Sequence, residues 1–237
     1  TVTIAAVDDL GLTAPDTVRF DTKSNSSKQM TAQDLENGNI VKGLYGKLGD
    51  GAGKWRLIIE SELDLSAQSL IRTPDGFLTN LSAVVTPDAN GLSTLNFFNS
   101  ASNTAQQSFM RLINSGTEDT YITISGVDDA GQVAPNGDVG LILAAGQSVE
   151  LSAKDLEQGN AALKLRGSLG VGSGRWRLAL SHSLESKISV MSYVLTSTGF
   201  LTNMSEVVGP ASTTNTVWIF NPGSNSNQAS KLRVING

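Results

Sequence analysis

Val2, Ile4 and Ala6 alternate with polar neighbours at the start of the chain, as Ile122, Ile124 and Gly126 do in its middle. A period of two with one apolar face predicts half-buried β-strands. The same alternation places Trp55, Leu57 and Ile59 on one face of a strand, and Trp176, Leu178 and Leu180 on one face of another, with Arg56 and Arg177 pointing the other way. Asp-Asp-x-Gly follows each opening strand, at Asp8-Asp9-Leu10-Gly11 and Asp128-Asp129-Ala130-Gly131, and predicts a turn. The only helical candidates are short. Thr31-x-x-Asp34 and Ser152-x-x-Asp155 read as N-caps, and Gly-Asn pairs stop the helices at Gly38 and Gly159. Glycines at 46, 49, 51 and 53 then space out a loop needing positive φ or close backbone approach.

These pairs are parts of one duplication. Thr3–Gly11 returns as Thr123–Gly131, 120 positions later, and Thr31–Asn39 returns as Ser152–Asn160, 121 later. Gly76-Phe77-Leu78-Thr79-Asn80 recurs unchanged as Gly199-Phe200-Leu201-Thr202-Asn203, and Phe98 through Asn114 recurs as Phe220 through Asn236. Spacing that drifts by only a few residues puts the insertions in loops. About seven to nine short strands per repeat, with turns every 8–12 residues, predict an all-β fold. We read two tandem antiparallel immunoglobulin-like β-sandwich repeats of about 120 residues.

The repeat is cut out of phase. Leu95–Phe98 and Phe109–Ile113 precede the second opening strand, and nothing equivalent precedes Thr1; the equivalents stand at the other end, as Val217–Phe220 and Leu232–Ile235. The predicted organisation is residues 1–90 as a first sandwich short of two strands, 91–210 as a second, and 211–237 as a strand pair able to complete a first-type repeat. Burying five or so large side chains at about 1.5–3 kcal/mol each is comparable with a whole domain's stability of about 5–15 kcal/mol. Donor residues are therefore expected at Val217, Trp218, Ile219, Phe220, Leu232, Val234 and Ile235, and an acceptor groove lined by Val2, Ile4 and Ala6. The strand pair can fill the next molecule, giving a filament, or fold back on its own first repeat. A segment cut from a longer tandem array is the plainer alternative.

The recurring Val-Asp-Asp-x-Gly, Asp-Leu-Glu-x-Gly-Asn, Gly-x-Gly-x-Trp-Arg-Leu and Gly-Phe-Leu-Thr-Asn motifs resemble tandem repeats of large secreted or surface proteins of Gram-negative bacteria. That resemblance spans the chain and implies an extracellular, modular protein; it implies no activity and no functional residues.

Composition narrows the chemistry. The 237 residues carry a formal net charge of −5 without a basic block, which argues against nucleic acid or an anionic membrane as partner. There is no cysteine, hence no disulfide, thiol nucleophile or cysteine metal site. No apolar run has the length of a membrane span. The chain opens on Thr1 with no visible signal peptide, as a processed product or an excised piece would.

Candidate chemistry is sparse. His182, the single histidine, lacks a Gly-x-Ser-x-Gly elbow nearby and is matched by Ser61 in the other copy. Asp8, Asp9, Asp128 and Asp129, with Asp16, Asp50 or Asp138, are a candidate calcium set or simply turn caps. Residues 49–53 and 170–174 look like phosphate cradles but lead into strands. Trp55, Trp176, Trp218, Tyr45 and Tyr193 are candidates for sugar stacking; Trp55 and Trp176 repeat in an apolar phase, as core anchors do, and Trp218 is the better surface candidate because the other copy does not repeat it as a tryptophan. The expectation is a non-enzymatic extracellular structural protein without a required cofactor, assembled with copies of itself head to tail as a fibre or surface array. A carbohydrate-binding or adhesin module, with polysaccharide as partner, is the alternative.

Overall fold

The computed structural model describes residues 1–205 except 24, 25, 63, 74 and 75, together with Leu232. Thr1–Glu206 form one compact unit, and Val207–Gly237 belong to a second. The described fold is all-β, with antiparallel sheets and two one-and-a-half-turn helices. No helix among the described residues is long and apolar enough to cross a membrane.

The first half starts with β1 (Val2–Val7), which pairs with β2 (Val18–Phe20) on one edge and β3 (Arg56–Ser61) on the other. Between them lies α1 (Ala32–Asn37), started by a capping box in which Thr31 and Asp34 exchange side-chain-to-backbone hydrogen bonds. A short hairpin, β4 (Leu70–Arg72) with β5 (Leu78–Asn80), closes this half.

The second half is fuller. It contains β6 (Ser93–Asn99), β7 (Gln106–Asn114), β8 (Thr120–Asp128), β9 (Val139–Leu143), β10 (Ser148–Ser152), β11 (Arg175–Ser181), β12 (Ile188–Thr196) and β13 (Leu201–Asn203), with α2 (Ala153–Gln158) carrying the same capping box on Ser152 and Asp155. Two four-stranded sheets result, β6-β11-β8-β9 and β10-β7-β12-β13. Their inward residues, among them Phe98, Met110, Leu112, Ile124, Leu151, Trp176, Leu178 and Val190, make one sandwich-like core. Val85, from the connection before β6, belongs to that core and donates its N–H to the Val190 carbonyl.

In the first half β1 and β3 pair in the register of β8 and β11, as Ile4↔Ile59 and Ile124↔Leu180 show. What differs is the company. Among the described residues nothing stands where β6 and β7 stand in the second half. The consequences run through the half: β3 pairs with a described strand on one edge only, residues 27–31, which match β10, form no strand, and the three-residue β4 matches the last part of nine-residue β12.

The two halves meet through polar contacts. The Arg111 guanidinium, buried on β7, donates to Asp9 at 2.5 Å. Lys54 Nζ lies 2.5 Å from Glu150, which also accepts from the Tyr193 hydroxyl. Ser148 N–H donates to the Asp9 carbonyl, and Thr79 Oγ1 to the Leu201 carbonyl. Desolvation, followed by the Glu150 carboxylate, pushes the Tyr193 phenol well above its ordinary value.

Candidate functional site

Trp176 shows what a covered site looks like in this chain. Its ring is buried, and its Nε1–H donates to Glu157 Oε1 at 2.8 Å. That same oxygen accepts from the Ala101 amide at 3.0 Å, from the loop following β6. Gly172 lies beneath the ring, where an added Cβ would stand 2.5 Å from it. Strand β6 then covers β11, pairing Trp176↔Phe98, Leu178↔Leu95, Ala179↔Thr94 and Leu180↔Ser93 around a bulge. Leu178 and Leu180 are fully buried.

Strand β3 carries the same machinery without the cover. Trp55 donates to Glu36 Oε1 at 3.0 Å, and Gly51 lies beneath its ring, with an added Cβ 2.4 Å away. Yet Trp55 is only half-buried, and Leu57 and Ile59 are 40% and 41% exposed. Ile58 is exposed to the same degree on the other face. Glu36 accepts from Trp55 with the oxygen that, in Glu157, takes a second donor from the loop after β6.

The expected acceptor residues face inward. Val2, Ile4 and Ala6 are buried in a core with Ala14, Val18, Phe20, Leu35, Leu44 and Leu48. Both edges of β1 are taken, so this strand cannot receive another by edge pairing; among the described residues the edge without a partner strand is one strand over, on β3. Alternation marks a buried face but not which strand ends the sheet. Of the expected donors, Leu232 is exposed, and Val217, Trp218, Ile219, Phe220, Val234 and Ile235 lie outside the described residues.

No family model, curated protein or solved structure matches this chain. The chemistry of the site therefore rests on its own geometry.

The aspartates are staples. Asp8 Oδ1 accepts from the amides of Leu10 and Leu12, closing the turn, while Oδ2 accepts from the Ala52 amide 44 residues on. Asp128 repeats this with Ala130, Gln132 and Ser173. Asp9 and Asp129 accept from the amides of Lys54 and Arg175. In the glycine loops the amides of Ala52, Lys54, Ser173 and Arg175 are thus bound to the chain's own carboxylates, and those of Gly49 and Gly170 to the Glu36 and Glu157 carbonyls. These carboxylates are engaged by N–H donors, and among the described residues no three acidic or histidine side chains gather as a metal site. The amide of Ala52 foremost holds Asp8 below its ordinary range, and that of Ser173 foremost does so for Asp128, desolvation opposing in both.

A carboxylate with a depressed folded pKa stabilises the fold above its unfolded value and loses that effect as pH falls through the folded one. Thermal midpoints of the native chain are expected to fall between about pH 5 and about pH 2 more steeply than those of a Asp8→Asn/Asp128→Asn chain. Parallel curves in a calorimetric pH series would remove the staples from the account.

His182 sits in a turn after β11, its Nδ1 2.7 Å from Ser186 Oγ and 2.9 Å from the Ser183 carbonyl. The depression beside it, about 680 Å³, is lined by polar residues including Asn114, Glu118, Asp119 and Glu185. Among the described residues no carboxylate hydrogen-bonds the imidazole to complete a triad. Tyr193 stacks on Phe109, ring centroids 5.5 Å apart, and Trp176 is core, so neither offers a sugar-stacking face. Tyr45 is exposed, but its backbone is bonded to Arg19 and no second ring stands beside it among the described contacts.

Glu36 and Glu157 as tryptophan partners, and the Asp9–Arg111 joint, are absent from the sequence reading. The first had a signal: each glutamate ends the repeated Asp-Leu-Glu, 19 residues before its tryptophan.

Proposed function

We propose that this chain is a non-enzymatic, extracellular structural protein of two immunoglobulin-like β-sandwich repeats, joined head to tail into a filament or surface array by strand donation. One observation carries the reading. Among the described residues, strand β3 has a partner strand on one edge only and an exposed Leu57/Ile59 face, where its counterpart β11 has a partner on both edges and a buried Leu178/Leu180 face. Exposed apolar sheet edges invite pairing with another chain, and the duplicated sequence supplies a second copy of the covering strands at residues 215–236. A non-closing contact of this kind propagates.

Light scattering on the full chain across a concentration series is expected to show a mass that rises with concentration, and a chain lacking residues 211–237 is expected to stay at monomer mass. A full chain that stays monomeric throughout, or a truncated chain that assembles equally well, defeats the reading.

A further inference from the structure

We infer that the acceptor is the edge of β3 opposite β1, over Leu57–Ile59, where no described strand pairs, and that its occupant is segment 215–221 of a second copy of this chain, in one register. This rests on the assembly proposed above and specifies its contact.

The sequence of β6, Ser93-Thr94-Leu95-Asn96-Phe97-Phe98-Asn99, is matched 122 positions later by Asn215-Thr216-Val217-Trp218-Ile219-Phe220-Asn221. Strand β11 is matched 121 positions earlier by β3. Carrying the β6–β11 pairing across these two offsets pairs Trp55 with Phe220, Leu57 with Val217, Ile58 with Thr216 and Ile59 with Asn215. Val217 and Phe220 then cover Leu57 and Trp55 as Leu95 and Phe98 cover Leu178 and Trp176.

Polar groups fix the same register. Ala101, whose N–H reaches Glu157, corresponds to Gly223, and Glu157 corresponds to Glu36. The oxygen on Glu36 that holds the Trp55 indole has the lone pair for the Gly223 amide. The hairpin that presents β6 is tied by Ser108 Oγ to the Asn99 amide and by Asn99 Nδ2 to the Gln106 carbonyl. All three residues recur unchanged, as Ser230, Asn221 and Gln228. A slip of one residue would turn Val217 and Phe220 away from the apolar face and separate Gly223 from Glu36.

The cysteine-free chain allows a direct test. One full-length chain carries Ile58→Cys, a second, affinity-tagged chain carries Thr216→Cys, and the two are mixed, oxidised and resolved without reductant. Both sites lie on the outward face of the proposed pair, so neither substitution touches the core. A mixed disulfide-linked dimer is expected for Ile58→Cys with Thr216→Cys, at least several-fold more abundant than for Ile58→Cys with Trp218→Cys, whose diagonal separation exceeds disulfide reach. If the Trp218→Cys pair links as well or better, or neither links while scattering still shows oligomers, the register and acceptor are wrong and the assembly reading survives. A cross-link that forms only inside a chain carrying both cysteines, at monomer mass, overturns the second copy as occupant. Absence of oligomers in the unsubstituted chain overturns the assembly reading itself.

Discussion

Trp176→Ala is expected to destabilise the second half by about 3–5 kcal/mol, the range for removing a buried large aromatic. The indole is fully enclosed, and its loss also removes a donor from Glu157, a carboxylate that is itself buried. Leaving a buried acceptor short of its partner adds to the cavity cost. Against a domain stability of about 5–15 kcal/mol, this is enough to unfold a marginal half. Trp55→Ala removes the same atoms from a half-exposed position, where less surface returns to water, and is expected to cost less than half as much at concentrations where the chain is monomeric. Urea unfolding followed by circular dichroism measures both; equal losses would mean that the two tryptophans have equivalent surroundings, contrary to the structure.

The second large effect concerns assembly. Leu57→Asp places a carboxylate where the proposed strand would close over it. Burying an unpaired charge costs several kcal/mol, and about 1.4 kcal/mol is tenfold in affinity, so assembly is expected to weaken by about a hundredfold or more. The monomer should change by about 1 kcal/mol or less, because Leu57 is already 40% exposed. Leu178→Asp, the same exchange at the matching buried position, is expected to unfold its half instead. The concentration dependence of light-scattering mass, read beside the thermal midpoint, separates the two. Leu57→Asp that assembles like the unsubstituted chain would exclude this face as the contact.

Much of this was legible along the chain because it is local. Alternation gave β1, β8 and β11 their buried faces and marked the same apolar face on β3, which stays exposed, and Thr31/Asp34 and Ser152/Asp155 announced the capping boxes three residues apart. Gly51 and Gly172 carry no positive φ; they are glycine because a tryptophan ring lies against them. The Asp-Asp turns read as either metal ligands or caps, and only the positions of Ala52 and Ser173, 44 and 45 residues away, distinguish the two. The partner-free edge of β3 among the described residues was not legible for a similar reason. Which strand ends a sheet depends on pairing between distant segments, and neither Val2 nor Leu57 carries a local mark of it. The Arg111–Asp9 contact spans 102 residues and had no sequence signal beyond the recurrence of both residues as Arg233 and Asp129.

That recurrence has a geometric consequence. The Asp9–Arg111 and Lys54–Glu150 bonds hold one half at a single rotation against the other, since turning either would separate the charges. If each junction in the proposed assembly uses the same step, the rotation accumulates from subunit to subunit. A row of these molecules then takes its twist from the angle between the two halves of a single chain.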